Sequence, residues 1–243
     1  MQITFEQIFK NSDVLNPVSP ATLLLAGKLA QMNPNKTLLD LGSGKGYPSL
    51  LWASVFGVNI NGVDFNKAFV DYADSRARLL NLTSKAEYLC QDLREFTTDK
   101  KYDIVAALGC DVSIYGGRTQ ALNCFNSMLK SGGVIILTEP IWTRKPVSPK
   151  IPKALNVAQE SFITLQEMQR LLMQQGFKEV WHAISTKTDW EIYVRPIFVT
   201  MQDFIKNNPD REQDAQAVIN GFKAEYDTAC RHWNVALWVL KPT

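Results

Sequence analysis

The stretch Leu38-Leu39-Asp40-Leu41-Gly42-Ser43-Gly44-Lys45-Gly46 constrains this chain more than any other. A short apolar run enters a turn of small residues. A helical pattern carrying Leu50, Leu51, Ala53, Val55 and Phe56 leaves the turn and stops at Gly57. Strand, glycine-rich turn and helix in that order open a βαβ unit. The alternation continues with a strand over 58–63 ending in Asp64, a helix over 67–80, and a strand over 86–90 ending near Asp92. Residues 102–108 form an unbroken apolar run, as expected of a strand buried on both faces. A helix over 119–129 is closed by Ser131-Gly132-Gly133, and a strand over 134–138 ends in Glu139-Pro140. Such alternation predicts an α/β fold with right-handed crossovers, a parallel sheet and helices on both faces.

After Pro140 the pattern changes. Pro140, Pro146, Pro149 and Pro152 mark an irregular loop, and Thr164-Leu165-Gln166-Glu167 is a capping box for a helix that ends at Gly176. A strand over 180–185 follows, then a helix over 190–208 with Pro196 expected to kink it. Asp210 can cap a further helix to about Cys230, and residues 233–240 read as a final strand. The mostly helical stretch between the last two strands is expected to be an insertion in one domain spanning 1–243. The expected fold is thus a Rossmann-like, seven-stranded, mostly parallel sheet with the last strand antiparallel. Helical lid elements are expected at 1–20, 141–163 and 190–231.

Length and composition support this. A chain of 243 residues, 46% hydrophobic, suits one core with insertions. A net charge of +2 with 21% charged residues disfavours a nucleic-acid binder or a polybasic membrane surface. The start, Met1 to Asp13, has no basic segment followed by an apolar run, and the apolar stretch 235–240 is too short to span a bilayer. Cys90, Cys110, Cys124 and Cys230 form no Cys-x-x-Cys pair, and the two histidines are His182 and His232, so no metal site is expected. Scattered cysteines point to a reducing, cytoplasmic setting.

The turn selects its ligand class. Its glycines permit positive φ and close approach of a ligand, and the N–H groups that open the helix can meet a carboxylate. Asp64 lies eighteen residues past Gly46, close to the roughly 20 expected of a carboxylate that grips ribose hydroxyls. A dinucleotide site wants Gly-x-Gly-x-x-Gly; here the third glycine falls one place early, and Tyr47 and Pro48 follow. Asp40 would repel a pyrophosphate but can hold the amino group of a methionine moiety. S-adenosylmethionine (SAM) therefore fits better than a nicotinamide dinucleotide.

With these residues in view, Asp40-x-Gly42-x-Gly44-x-Gly46 resembles the first motif of class I SAM-dependent methyltransferases. Val63-Asp64-Phe65, Gln91-Asp92-Leu93 and Leu129-Lys130-Ser131-Gly132-Gly133 resemble later motifs, with Ser131 in place of the usual proline. The resemblance covers about residues 38–140 and is nearest to small bacterial enzymes of the ubiquinone/menaquinone methyltransferase type, many without an assigned substrate. It implies that Asp40 and the backbone of Gly42, Ser43, Gly44 and Gly46 hold the amino-acid end of SAM. It implies further that Asp64 binds the ribose and that Phe65 lies beside the adenine. Asp92 accepts from the adenine amino group, the Leu93 N–H donates to a ring nitrogen, and Leu108 and Gly109 line the cofactor. The reaction implied is methyl transfer to a small-molecule acceptor, leaving S-adenosylhomocysteine.

Ligands of open α/β sheets bind beyond the carboxyl ends of the strands. That places Cys110, Asp111, Tyr115, Glu139 and Trp142 near the acceptor, with Trp190, Glu191 and Tyr193 from the insertion. Glu139 leads as a general base and Asp111 follows. Trp142, Trp190 and Tyr193 could form an aromatic wall, and Cys110 and Tyr115 could touch the acceptor. His182, mid-strand, reads as a packed core residue. No Asn-Pro-Pro-Tyr-like motif or Pro-Cys pair follows the fourth strand, which disfavours nucleic-acid substrates. Three other readings stay open: a protein that binds SAM or S-adenosylhomocysteine without transferring methyl, a nicotinamide-dependent oxidoreductase on a related fold, and a methyltransferase acting on a protein or RNA.

Overall fold

The computed structural model describes residues 3–243. Met1 and Gln2, part of the N-terminal lid segment expected over 1–20, lie outside the described residues. In chain order the elements are α1 (Phe5–Ile8), α2 (Pro20–Leu29), β1 (Thr37–Leu41), α3 (Tyr47–Phe56), β2 (Asn59–Asp64), α4 (Lys67–Leu79), β3 (Ala86–Cys90) and β4 (Tyr102–Ala107). They continue with α5 (Arg118–Ser127), β5 (Leu129–Trp142), α6 (Lys150–Leu155), β6 (Ile163–Thr164), α7 (Leu165–Gln174), β7 (Phe177–Ile184), α8 (Lys187–Asn207), α9 (Glu212–Thr228) and β8 (Trp233–Pro242).

The apolar runs become strands that water does not reach. Leu38, Leu39 and Leu41 of β1 and Ile104, Val105, Ala106 and Ala107 of β4 are fully buried, as in a sheet covered on both faces. Strand order is β3-β2-β1-β4-β5-β8-β7, and the β1–β2, β1–β4, β2–β3 and β4–β5 pairs are parallel. β7 and β8 run antiparallel: Ser185 N donates to Val235 O at 2.9 Å and, at the opposite end, Thr243 N donates to Gly176 O at 2.8 Å. The expected Rossmann-like sheet is therefore present.

Three details depart from the sequence reading. An eighth strand, β6, pairs in parallel with the end of β5 (Ile141↔Ile163, Trp142↔Thr164); two residues are too few to show a period. β5 begins at Leu129 and not at 134, because the Ser131-Gly132-Gly133 turn is a bulge inside the strand. Leu129 lies opposite Tyr102 and Val134 opposite Ile104, with Gly132 at φ 73°. α8 starts at Lys187 and runs on through Pro196, because Thr186 and Asp189 form a capping box ahead of the expected start.

Successive connections leave β1 in opposite directions, to β2 and β3 on one side and to β4 and β5 on the other. The carboxyl ends of β1 and β4 flank this reversal, where an open α/β sheet has its ligand crevice.

By internal contacts the chain divides into two units. One comprises Ser19–Glu139, Gln166–Ala183 and Ala236–Thr243 and holds the sheet with α2–α5 and α7. The other comprises the N-terminal segment to Val18, Pro140–Leu165 and Ile184–Val235, with α1, α6, α8 and α9. The second is organised by aromatic contacts. Trp142 packs on Phe162 at 4.7 Å between ring centroids, Phe162 on Trp233 at 5.4 Å, and Trp233 on Trp190 at 5.0 Å. The indole N–H groups find acceptors: Trp142 Nε1 donates to Gln159 O (2.9 Å) and Trp190 Nε1 to Asn234 Oδ1 (2.9 Å). Large rings thus bury apolar area without stranding a donor. Among the described residues, no helix is long and apolar enough to cross a membrane.

The glycine that the sheet can least replace is Gly62 in β2. A Cβ there would lie 2.3 Å and 2.5 Å from two ring carbons of Tyr88 and 3.1 Å from Ser43 Cβ. Gly62→Ala is expected to destabilise the protein by about 1–3 kcal/mol through overpacking, measured by urea unfolding. An unchanged midpoint would show that the Tyr88 ring is free to move aside.

Candidate functional site

β1 ends in Asp40-Leu41 and feeds a turn in which Gly42, Gly44 and Gly46 all take left-handed φ (71°, 52° and 72°). Gly46 is doubly constrained: its φ is positive, and a Cβ would meet the Tyr88 hydroxyl at 2.7 Å and Ala73 Cβ at 2.9 Å. α3 then starts with Tyr47-Pro48, where a missing proline N–H leaves no bond unmade, and ends at Gly57.

Asp64, at the end of β2, ties this turn to the next. Its Oδ2 accepts from Gly44 N at 2.7 Å and its Oδ1 from Asn66 N at 2.8 Å. Asn66 in turn caps α4, accepting from Ala68 N and Phe69 N. Burial pushes the Asp64 carboxyl up, against the lowering effect of those two backbone bonds.

Asp40 is 2% exposed, and its Oδ2 has no hydrogen-bond partner in the protein. Burial pushes its pKa up to about 7; a hydrogen bond from Ser49 opposes this, and the neighbouring Asp64 charge adds to it. Ser43 Oγ, in the same turn, is also buried without a partner. Buried polar atoms left unpaired cost about 1–3 kcal/mol each, so these two mark a place where a ligand supplies the missing bonds. A carboxylate acceptor and a hydroxyl side by side match the ammonium and carboxylate of an amino acid, while the turn's own amides are engaged within the protein: Gly42 N and Ser43 N donate to Val63 O and Gly46 N to Ser43 O.

The remaining residues anticipated for the cofactor occupy the neighbouring strand ends. Phe65 is exposed after β2, Asp92 and Leu93 follow β3, and Leu108 is buried after β4. Gly109 N donates to Thr138 Oγ1 at 2.7 Å, which joins the ends of β4 and β5. Asp92 is engaged by its neighbour: Arg94 Nε lies 3.0 Å from both carboxylate oxygens, and these bonds hold its pKa at about 2.

Cys110 lies against the turn; a Cβ on Gly42 would be 3.5 Å from Cys110 Cβ. Burial first, and then the charges of Asp111, Glu139, Asp64 and Asp40, push the thiol up to about 12. Cys110 is therefore a neutral thiol at physiological pH and a poor nucleophile. The Tyr115 hydroxyl is buried near the Cys110 thiol, and its ring packs edge-on against Phe125 at 5.2 Å. Asp111 is exposed and accepts from Ser113 N at 2.9 Å, which caps the short turn that carries Tyr115.

Glu139, 3% exposed at the end of β5, is ion-paired: Arg118 Nε donates to its Oε2 at 2.7 Å. Burial raises the Glu139 pKa to about 7, the Arg118 charge and hydrogen bond pull it down, and Asp111 pushes it up. A carboxylate poised there can take a proton near neutral pH. Arg118 is a residue the sequence reading did not single out. The signal was present: it is the first residue of α5, after Gly116-Gly117, and a cation at a helix amino end opposes the helix dipole. Ser49 and Tyr88, which serve Asp40, were missed as well.

Trp142, Trp190 and Tyr193 belong to the helical unit. Trp142 and Trp190 are buried in the aromatic cluster described above, and Tyr193, 9% exposed, packs on Trp190, Phe9 and Phe222. Glu191, beside them in α8, accepts from the Tyr226 hydroxyl at 2.9 Å. His182 is half-buried, not core, and its Nδ1 lies 2.6 Å from Glu179 Oε1.

Residues 38–133 match the family described as methyltransferase domain. The chain is similar to the protein YjhP of Escherichia coli (strain K12), 27% identical over 226 residues that cover 90% of this chain and 91% of that one. It is also similar to phosphoethanolamine N-methyltransferase 1 of Arabidopsis thaliana, 22% identical over 241 residues. That match takes in 97% of this chain and 45% of the plant enzyme. Among solved structures, the SAM-dependent methyltransferase of Geobacter sulfurreducens in complex with S-adenosylhomocysteine has the same fold. The TM-score is 0.91 at 23% identity, with 100% of this chain and 99% of that one covered.

The raised pKa of Asp40 has a consequence for stability. Its carboxyl binds a proton more tightly folded than unfolded, so between its ordinary value of 3.8 and about 7 the folded state loses stability as pH rises. Asp40→Asn removes this loss. The stability of Asp40→Asn relative to wild type is expected to improve by about 1–3 kcal/mol between pH 5 and pH 8, read by urea unfolding at each pH. A pH-independent difference would mean that Asp40 is ionised throughout.

Proposed function

We propose that the chain, whose residues 38–133 match a methyltransferase domain, is a class I SAM-dependent methyltransferase that transfers the methyl group of SAM to a small-molecule acceptor, releasing S-adenosylhomocysteine. The observation that carries this reading is the pair of buried, partnerless atoms Asp40 Oδ2 and Ser43 Oγ beside the glycine turn. The Geobacter relative, crystallised with S-adenosylhomocysteine, supports it.

In this reading Asp40 and the Ser43 hydroxyl hold the amino-acid end, and the backbone of Gly42, Gly44 and Gly46, its amides committed to Val63, Asp64 and Ser43, lets the ligand lie close against the turn. Asp64 keeps a lone pair on each oxygen for the ribose hydroxyls while its other bonds fix the turn. Phe65 offers an exposed face to the adenine, with Asp92 and Leu93 at its edge and Leu108 and Gly109 alongside. When bound, SAM supplies a methyl group on a sulfonium; the chain's task is alignment and exclusion of water, which can account for roughly 7–11 kcal/mol of the barrier. Glu139 takes the proton that the acceptor loses, and Arg118 keeps its carboxylate in place. Cys110, Tyr115 and Asp111 meet the acceptor. The carboxylates of Asp64, Asp111 and Glu139 would repel a phosphate backbone, which supports a small acceptor over a nucleic acid. The free thiols of Cys90, Cys110, Cys124 and Cys230 support a cytoplasmic setting.

Calorimetric titration tests the cofactor. Wild type is expected to bind SAM and S-adenosylhomocysteine in the micromolar range. Asp40→Asn and Asp64→Ala, checked for folding, should each bind about 10–100-fold more weakly, as expected for loss of a charge-assisted bond. Folded wild type that binds neither ligand, or that binds a nicotinamide dinucleotide instead, overturns the reading. Once screening yields an acceptor, Glu139→Gln is expected to lower kcat about 10²–10⁴-fold with little change in KM, as for loss of a general base. An unaltered kcat would remove Glu139 from proton transfer. Binding without turnover on any acceptor would favour a cofactor-binding regulator.

A further inference from the structure

The Asp40 carboxylate does not stand alone at the end of β1. Ser49, one turn into α3 and fully buried, hydrogen-bonds to it. Ser49 Oγ lies 3.0 Å from the hydroxyl of Tyr88, which arrives from β3. A serine has one proton, and a carboxylate can only accept. For Ser49 to donate to Asp40, the Tyr88 O–H must be the donor to Ser49. The alternative acceptor for Ser49, Gly46 O at 3.3 Å, is uncharged.

Tyr88 is built for this role. Its ring lies flat over Gly62, where no Cβ fits, and its hydroxyl sits against Gly46, where none fits either. Two glycines in different elements are thus what lets the phenol reach Ser49. Burial first, then the Ser49 contact and the charges of Asp40 and Asp74, leave the Tyr88 proton held more tightly than in an ordinary tyrosine. The phenol therefore remains a donor at every physiological pH.

We propose that Tyr88 and Ser49 are positioning residues that aim the free oxygen of Asp40 at the ammonium group of the bound cofactor. The proposal rests on the reading of the Gly42–Gly46 turn as the site for the amino-acid end of SAM. With one lone-pair direction of Asp40 occupied by Ser49, Oδ2 is left as the open acceptor. A hydrogen-bonded chain of this kind also polarises each member, so the Tyr88 hydroxyl acts on Asp40 without touching it.

The same geometry couples cofactor binding to a proton. The groups facing Asp40 are Ser49 from α3, Asp64 from β2, Tyr88 from β3 and Cys110 after β4. Lys45, in the turn itself, is buried with its Nζ 4.4 Å from the centre of the Tyr72 ring. Burial, with Oδ2 left unpartnered, makes Asp40 easier to protonate in the free protein than an ordinary carboxylate. An ammonium favours the ionised form, so binding expels a proton, and affinity falls as pH drops below 7. A ligand without an ammonium lacks this linkage.

The test compares two probes on three proteins by calorimetry: S-adenosylhomocysteine, which has the amino-acid end, and 5′-methylthioadenosine, which lacks it, on wild type, Tyr88→Phe and Ser49→Ala. S-adenosylhomocysteine is expected to bind about threefold more weakly to Tyr88→Phe and about tenfold more weakly to Ser49→Ala, in line with indirect and direct loss of a hydrogen bond to a charge. Methylthioadenosine affinity should stay within twofold of wild type in both variants. Titration in buffers of different ionisation enthalpy should show proton release with S-adenosylhomocysteine only. The pH at which its affinity falls should rise in both variants, because Asp40 loses the bond that favours its charge. Equal losses on both probes, or no loss on either, overturn the proposal and leave the cofactor reading standing. Wild type that binds neither probe overturns the cofactor reading and this inference with it.

Discussion

The organising constraint of the sheet unit is the burial of a carboxylate at the end of β1. Removing Asp40 from water is unfavourable unless something replaces its hydration. The chain replaces only part of it, through Ser49, and leaves Oδ2 open. The features around it follow from keeping such a group in place. The glycines of the turn give up their side chains so that backbone and phenol can come close. Asp64 locks the turn from β2, and Tyr88 crosses from β3 to hold Ser49. A site that is electrostatically uncomfortable when empty, and relieved by a cation, discriminates for the presence of that cation more sharply than a fully satisfied one could.

Charge balance at the strand ends extends this logic. Asp40, Asp64, Asp111 and Glu139 all bear on the Cys110 thiol, and Arg118 pairs with the innermost of the β5 side. The acids differ in their surroundings. Asp111 is exposed, while Asp40 and Glu139 are pushed to about 7 by burial. One small region thus brings together buried and exposed carboxyl groups, and Cys110 among them stays protonated as a neutral wall.

Much of this was legible in the amino-acid order because its causes are local. Apolar runs four to six residues long, punctuated by Gly57, Gly132 and the proline series after Pro140, are enough to place strands and helices. Asp40, Asp64 and Glu139 could be named because they sit where apolar runs stop. What stayed hidden depends on pairings between distant residues. Ser49 and Tyr88 are far apart in the chain, as are Arg118 and Glu139, and no period or motif ties either pair. The bulge in β5 and the two-residue β6 were missed for a related reason: a strand that departs from regular alternation has no signature. His182 misled because position in a strand says nothing of which strands cover it, and β7 is an edge.

That edge has a consequence for how the sheet comes into being. Among the described residues β7 pairs with β8 alone, and β8, which follows β7 in the chain, lies between β5 and β7. Until it emerges, β5 beyond its two-residue pairing with β6 has one side open, and β7 lacks its partner in the sheet. The first five strands can assemble during synthesis through local crossovers, but sheet closure must wait for a segment far along the chain. Open edges of this kind invite pairing with other nascent chains. β8 therefore does two things at once: it completes the sheet and covers the side of β5 that would otherwise be a template for pairing.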